Sequence, residues 1–384
     1  MMKKLFHING TCLPGGGPEH IYQLLKRLDR KEWQLFLCTS KDGPYWEKFD
    51  LICTKTYDLA LRKLSLKKFL KLWVILLKEK PDLIHTHGKG PGFYGRIIGK
   101  LLNIPVIHTF HGFHYTDLPF LTKRLHLILE FFLALITEHH IFVGAGEKEH
   151  ASVIKFISEK NSSIINNGVD CKYIRDISID RKKFLNSIGC NNWENNEILG
   201  TVSRISPEKG ILNLLSGFAI ALKKISTLRL LIVGGQQGEH RSYYLEVKDF
   251  LEKENLTEQV RILGYRNDVI EILKSMDFYI SPSLTEGLPI SILEALASKI
   301  PTIATEIAGN KDIIRNSVFG ILVPTNSSTA IAQGIFKMHK LTQRERDTIS
   351  LNAYNRVSLN FSIERMVDKT KVLYNQTLKK KIYK

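Results

Sequence analysis

The chain has 384 residues, a net charge of +17 and a hydrophobic fraction of 43%, which excludes a disordered polymer and leaves room for about two domains. The positive charge suits phosphate-bearing ligands, anionic lipid or nucleic acid, but the basic residues are spread out and no nucleic-acid module is present, so no nucleic-acid partner is expected. Cys12, Cys38, Cys53, Cys171 and Cys190 are scattered without C-x-x-C spacing, which argues for a reducing compartment and against a zinc or disulfide framework, and neither a secretory signal nor a run of ~20 apolar residues stands out.

In chain order, Leu5 to Ile8 reads as a short buried strand, followed by Gly15-Gly16-Gly17 and a helical pattern from Glu19 to Leu28. Strand, glycine loop and helix form a phosphate-friendly opening for an α/β domain, without the spacing of a dinucleotide or Walker loop. Trp33 to Cys38 is the next strand. Leu61 to Lys80 is a basic amphipathic helix, with Arg62, Lys63, Lys67, Lys68 and Lys71 against Leu64, Phe69, Leu72 and Trp73. It fits either an anionic membrane surface or a core-facing stripe with solvated lysines. Asp82 to Thr86 is a strand leading to Gly90-Pro-Gly92-Phe-Tyr-Gly95 and a helix through Leu102. This G-x-G-x-x-G sits in mid-domain, and the following strand, Val106 to Thr109, ends in Phe-His-Gly rather than an acidic residue. A nicotinamide or flavin is therefore not expected, while a helix start offering N–H groups to another phosphate is.

His108 to Tyr115 is a polar, aromatic loop at a strand's C-terminal end, the edge that carries ligands in open α/β sheets. His85, His87, His108, His111 and His114 lack the carboxylates or cysteines that would complete a metal set, and His111 is read as positioning substrate. Leu118 to Thr137 is apolar but interrupted by Lys123, Arg124, His126 and Glu130. So interrupted, it is not read as a span; it fits either a long core helix or a monotopic patch, and is read as partial membrane contact. Strands at Ile141 to Val143 and Ser163 to Ile165 precede a polar stretch, Cys190 to Glu197. A second α/β series follows: strand Ile198 to Val202, helix Ile211 to Lys224, strand Leu228 to Val233, helix Tyr243 to Glu254 and strand Val260 to Leu263. The expected fold is α/β, with two Rossmann-like doubly wound domains facing across a cleft. The expected boundaries are 1–190, 191–360 and a C-terminal helix with a basic tail, 361–384, packing back toward the first domain.

Two motifs fall at strand ends in the second series. In Val202-Ser-Arg204-Ile-Ser-Pro-Glu-Lys209-Gly210, two cations flank a turn before a helix and could clamp a diphosphate. In Ser281-Pro-Ser-Leu-Thr-Glu286-Gly-Leu-Pro289 with Glu294 beyond, a loop carboxylate, the N–H groups of Gly287 and Leu288 and a helix carboxylate follow one another. Carboxylates accept from sugar hydroxyls and helix-start N–H groups take phosphate, the layout of a nucleotide sugar.

R-x4-K-G followed by E-G-L-P-x4-E, behind a glycine loop and an H-G loop, resembles the retaining GT-B glycosyltransferases of family 4 over essentially the whole chain. IHTHGKGPGFYGR and VIHTFHGFHY are most similar to the bacterial subgroup that builds capsule, O-antigen and lipid-linked oligosaccharides. The resemblance implies a metal-independent hexosyltransferase, with no cofactor, that moves a UDP-linked hexose or N-acetylhexosamine to a glycan on a polyprenyl diphosphate. Arg204 and Lys209 would clamp the diphosphate, Glu294 the ribose, and Glu286 the donor sugar beside the amides of Gly287 and Leu288. Backbone near Tyr265 and Arg266 would meet the base. His111 would contact the donor sugar near the reacting carbon, giving catalytic roles to Glu286, Arg204, Lys209 and His111. Gly16 and Gly17, with Gly90 and Gly92, would serve acceptor and phosphate. No D-x-D sequence asks for a divalent metal. The expected location is cytoplasmic, peripheral on the inner face of the plasma membrane. A GT-B sugar-nucleotide epimerase and a non-catalytic partner of a transferase share the same pattern.

Overall fold

The computed structural model describes residues 2–112, 119–154, 157–236 and 240–382. It divides into two compact units, Met1–Asn167 with Ile363–Lys384, and Gly168–Ser362.

The first unit is a seven-stranded parallel sheet: β1 (Lys3–Ile8), β2 (Trp33–Thr39), β3 (Lys55–Asp58), β4 (Leu83–His87), β5 (Val106–Thr109), β6 (His139–Phe142) and β7 (Ser162–Ile164). The spatial order is β3-β2-β1-β4-β5-β6-β7, so the winding direction reverses between β1 and β4. Side chains alternate across the sheet. Leu5, Leu35, Leu37, Leu83 and Ile107 pack on one face with Ile21 and Leu24 and with Met366 and Tyr374 of the C-terminal helix Ile363–Ile382. Phe6, Ile8, Phe36, Ile84 and Val106 pack on the other with Leu72 and Leu76 of helix Leu66–Glu79 and Tyr94 and Ile98 of helix Lys89–Leu101. Burial on both faces is what parallel crossover connections impose.

The second unit repeats the plan with six strands: β8 (Glu197–Val202), β9 (Leu228–Val233), β10 (Val260–Gly264), β11 (Phe278–Ser281), β12 (Thr302–Thr305) and β13 (Ile321–Val323). Their order is β10-β9-β8-β11-β12-β13, with the reversal between β8 and β11. Ligands of doubly wound sheets bind beyond the carboxyl ends of the strands at such reversals.

The units divide at Asn167, ahead of the polar stretch that marked residues 190/191 in the sequence. Helix Cys171–Asp176 packs on helix Ile290–Ala297, and Arg181 of the next helix donates to Asp277 Oδ2 at 2.6 Å. Polarity at Cys190 to Glu197 marks only a surface turn entering β8.

The apolar segment before β6 forms helix Phe120–Leu135. Glu130 interrupts it because the carboxylate faces inward, where Arg96 binds both oxygens at 2.9 and 3.0 Å. The outer face leaves Phe120, Leu121, Leu125, Ile128 and Phe132 exposed. Helix Leu66–Glu79 has two apolar faces: Leu72 and Leu76 are buried, while Leu66, Leu70, Val74 and Leu77 form an exposed stripe among Lys67, Lys71 and Lys78. Among the described residues, no helix is long and apolar enough to cross a membrane.

Candidate active site

The R-x4-K and E-G-L-P motifs follow β8 and β11, the two strands that flank the reversal of the second sheet. After β8 the chain makes a 3-10 turn, Pro207–Lys209, and enters helix Ile211–Leu222 through Gly210 at φ 63°. Gly210 is required twice over, by its left-handed backbone and by proximity, because a Cβ there would sit 2.3 Å from the carbonyl oxygen of Pro282. Leu284 N–H donates to the Glu208 carbonyl at 2.8 Å. The two motifs are thus one structure, joined backbone to backbone.

Their side chains meet as well. Lys209 Nζ lies 2.5 Å from Glu286 Oε1, each side chain 15% exposed, and Ser283 Oγ donates to the same oxygen at 2.8 Å. Arg204 is more exposed and reaches Glu208 Oε1 at 3.2 Å. Beneath the loop, Thr305 Oγ1 donates to the Ser283 carbonyl, and Asn310 Nδ2 donates to the Thr305 carbonyl at 2.8 Å. A Cβ at Gly309 would fall 2.4 Å from the Gly287 carbonyl oxygen. Thr305 and Gly309 had no signal in the sequence, because they meet this loop from far along the chain; Ser283 and Asn310 lie close to their partners Glu286 and Thr305 but belong to no motif.

Pro289 is the N-cap of helix Ile290–Ala297. Gly287 and Leu288 therefore lie just outside the helix, and Glu294 sits half-buried in the second turn. Tyr265 and Arg266 follow β10. Tyr265 is exposed, with its hydroxyl 2.9 Å from Asn267 Oδ1. Arg266 is forked onto Asp268 at 2.8 and 2.6 Å, holding that carboxyl below the usual carboxylate range.

In the first unit, helix Gly16–Lys26 starts after Gly15, and Cβ atoms at Gly15 and Gly17 would meet nothing within 4 Å. The amides of Gly16 and Gly17 lie in the first turn of this helix, where N–H groups have no intrahelical acceptor. Gly90 and Gly92 differ. Both lie inside helix Lys89–Leu101, where a Cβ at Gly90 would be 2.3 Å from the Leu61 carbonyl oxygen and one at Gly92 2.5 Å from His108 Cε1. Close packing accounts for both glycines.

His111 follows β5 in a left-handed conformation, φ 59°, and its Nε2 lies 2.9 Å from His87 Nδ1. His87 Nε2 in turn lies 2.9 Å from His7 Nδ1. His85 and His87 lie on one face of β4: β1–β4 register pairs His7 with His85, and Tyr374 arrives from the C-terminal helix. His20 Nδ1–H donates to Asn167 Oδ1 at 3.0 Å. Burial lowers all five imidazoles, His7 to about 3, His20 to about 4 and the others well below their ordinary value, so each is neutral. His7, His85 and His87, and His20, His87 and His111, each bring three nitrogens within 4.8 Å of one another. Among the described residues, no carboxylate or thiol joins either group. Contacts of 2.9 Å between successive rings are hydrogen-bond distances, shorter than the ~3.3 Å that tetrahedral ligation at Zn–N of about 2.0 Å imposes. His114 lies outside the described residues.

Two family models match the chain. One, described as Glycosyltransferase Family 4, spans residues 14–173. The other, Glycosyl transferases group 1, spans residues 188–356. The chain is 29% identical over 391 residues to the UDP-Gal:alpha-D-GlcNAc-diphosphoundecaprenol alpha-1,3-galactosyltransferase of Escherichia coli, covering 97% of this chain and 96% of that one. It is 26% identical over 366 residues to the capsular polysaccharide biosynthesis glycosyltransferase CapM of Staphylococcus aureus, covering 88% and 89%. Among solved structures, a glycosyltransferase from Rickettsia africae superimposes with a TM-score of 0.82 at 23% identity, over 98% of this chain and 99% of that one. Anabaena HepE, solved in complex with UDP-glucose, superimposes with a TM-score of 0.83 at 18% identity, over 97% and 99%.

Proposed function

We propose a reaction for this chain from the premise that it belongs to the GT-B glycosyltransferases, with a family 4 domain followed by a group 1 domain: it transfers a hexose or N-acetylhexosamine from a UDP-sugar to a lipid-diphosphate-linked glycan, with retention at the anomeric carbon. The observation that carries the proposal is the Lys209–Glu286–Ser283 cluster, with Arg204 on the same turn, at the reversal of the second sheet. Lys209 and Arg204 are the cations for the diphosphate. They neutralise the charge that grows on it as the glycosidic bond breaks, a task electrostatic preorganisation performs without a divalent metal. Glu286 is held by Lys209 and Ser283 to accept hydroxyls of the donor sugar, with the amides of Gly287 and Leu288 beside it. Glu294 takes the ribose, and backbone at Tyr265 and Arg266 the base. In the first unit, the first-turn amides of Gly16 and Gly17 serve acceptor and phosphate, and His111 meets the sugar.

The E. coli relative supports a UDP-linked donor and a diphosphate-linked acceptor by what its name states, and CapM supports a surface-polysaccharide pathway. The lipid acceptor also gives a reason for the exposed stripe Leu66, Leu70, Val74 and Leu77 with its lysines, and for the outer face of Phe120–Leu135. Both are proposed to rest on the anionic cytoplasmic leaflet without spanning it.

The test is a donor screen on a synthetic GlcNAc-diphosphate-lipid acceptor, in EDTA and in magnesium, with nucleoside diphosphate release and the product anomer recorded. Acceptor-dependent release from one UDP-sugar, undiminished by EDTA and giving the donor's own anomeric configuration, is expected. Release without acceptor, or an inverted product, would overturn the transfer or its stereochemistry respectively. Flotation with anionic liposomes, lost at high salt, is expected for the membrane contact; no recovery at low salt would remove it.

A further inference from the structure

We infer that His7, His85, His87 and Tyr374 form a neutral hydrogen-bonded chain that fixes the tautomer of His111, leaving His111 Nδ1 as a hydrogen-bond acceptor for a substrate hydroxyl. The inference rests on the glycosyltransferase reading only in taking His111 to face the sugar.

The chain runs from Thr109 to His111 through the face of the first sheet that the C-terminal helix covers. His85 Nε2 lies 2.8 Å from Thr109 Oγ1 and His85 Nδ1 lies 2.5 Å from the Tyr374 hydroxyl. Tyr374 lies 3.3 Å from His7 Nε2. His7 Nδ1 meets His87 Nε2, and His87 Nδ1 meets His111 Nε2, each at 2.9 Å. His7, His85 and Tyr374 are fully buried and His87 is 3% exposed, so no chain member can leave a polar atom unpaired at low cost.

A neutral imidazole has one donor and one acceptor nitrogen. Every ring in the chain uses both, so one known direction sets all the others. Tyr374 supplies it. Hydroxyl donors approach closer than ring N–H donors, so the 2.5 Å contact is Tyr374 O–H donating to His85 Nδ1, and the 3.3 Å contact is His7 Nε2–H donating to Tyr374. Burial holds the phenol well above its ordinary pKa, so its proton stays. His85 then donates Nε2–H to Thr109. His7 accepts at Nδ1 from His87 Nε2–H. His87 accepts at Nδ1 from His111 Nε2–H. His111 Nδ1 carries the lone pair, and it has no partner among the described residues. An acceptor nitrogen suits a sugar hydroxyl and repels a phosphate oxygen. Tyr374 is a positioning residue, placed 263 positions beyond His111 in the sequence and acting through three rings.

The experiment uses full-length chain labelled with 15N-histidine. Long-range proton–nitrogen correlations, assigned with single His→Gln variants, report each tautomer. Expected at neutral pH are Nε2–H tautomers for His7, His85, His87 and His111. Tyr374→Phe keeps the ring and removes the hydroxyl that sets the direction. It is expected to give mixed tautomers at His111, and a kcat for sugar transfer reduced about tenfold with the donor KM within about twofold. Tyr94→Phe removes another buried hydroxyl, bonded to Lys63 and Ser65, and is expected to leave both readouts alone. An Nδ1–H tautomer at His111, an unchanged His111 signal in Tyr374→Phe, or stoichiometric zinc shifting these rings would each overturn the inference. If the protein transfers no sugar, the expected tautomer pattern still upholds the chain, and only the transfer reading falls.

Discussion

The two units share one winding pattern and place their chemistry at the same kind of point, the strand ends at the sheet reversal, yet they equip it oppositely. The second unit uses charge: Lys209 against Glu286 and Arg204 against Glu208, at partly exposed positions where an arriving ligand can compete for either partner. The first unit uses neutral imidazoles, buried except for the half-buried His111 and paired, among the described residues, with one another, Thr109, Asn167 and Tyr374. A charge near the surface keeps part of its hydration and remains available. A buried imidazole gives up its charge and gains a fixed direction. One arrangement suits an anionic diphosphate, and the other a neutral, hydroxyl-rich sugar.

Removing the charge is the hardest blow to that contrast. Lys209→Ala is expected to lower kcat by a factor of about 10² to 10³, the scale seen when one preorganised charge-stabilising group is lost. It also leaves Glu286 bound only to Ser283 among its described partners. Lys209→Arg keeps the charge but not the compact ammonium, and should recover only part. Steady-state kinetics with UDP binding by calorimetry separates the two effects. Turnover within a factor of two of the native enzyme in Lys209→Ala would deny the cation its assigned place.

Next in size is a strong charge pair buried in the first unit, beside its neutral imidazoles. Arg96 and Glu130 are nearly inaccessible and doubly bonded. Glu130→Ala leaves a buried guanidinium with only the Gly92 carbonyl among its other described partners, and should cost about 3–5 kcal/mol. Replacing both residues with apolar ones of similar volume should cost much less. Urea unfolding of both variants decides it, and equal losses would mean the pair matters for more than mutual neutralisation.

Much of this was legible in the sequence, and what was not has a physical cause. β5 and β9 match their expected limits because buried parallel strands read as short apolar runs between turn residues. Arg204, Lys209 and Glu286 were found because each motif is local. The contact between Lys209 and Glu286 was not, since it depends on β8 lying beside β11. His85 and His87 were noted only among five histidines without a complete metal set, and His7, His20 and Tyr374 are single residues that sheet register, the first helix and the returning C-terminal helix bring in. Gly90 and Gly92 looked like phosphate-loop glycines and turned out to clear space for Leu61 and His108. A glycine's pattern does not tell close packing from ligand approach. Residues 301–360 carry β12, β13 and two long helices with no motif to announce them.

The imidazoles also give the first unit a distinctive pH response. His7 and His20 are held neutral by burial, with pKa values near 3 and 4 against 6.5 for the free side chain. In the unfolded chain both protonate as pH falls below about 6.5, while the folded chain does not follow until about pH 4 or below. Their stabilisation is therefore complete above 6.5 and is lost between 6.5 and about 4, each contributing a slope of about 1.4 kcal/mol per pH unit. Thermal melts should fall steeply over that range, and His20→Gln should flatten the slope by about one proton. A native protein whose melting point holds level from pH 7 to 5 would contradict neutral, buried imidazoles.

The smallest effect concerns the joint between the two charged motifs. Gly210→Ala adds a methyl where the backbone is left-handed and the Pro282 carbonyl oxygen is 2.3 Å away. The left-handed conformation alone costs about 1–2 kcal/mol, and the contact forces the loop carrying Glu286 away from Lys209. A general loss of stability would show in the melt alone. The joint predicts something narrower, a melt lowered by a few degrees together with weaker UDP-sugar binding. Gly189→Ala is the control: its backbone is also left-handed, at φ 78°, but a Cβ there meets nothing within 4 Å. It should lower the melt similarly and leave binding intact. If both variants bind donor equally well, the two motifs work without their backbone contact, and the charged site depends on its side chains alone.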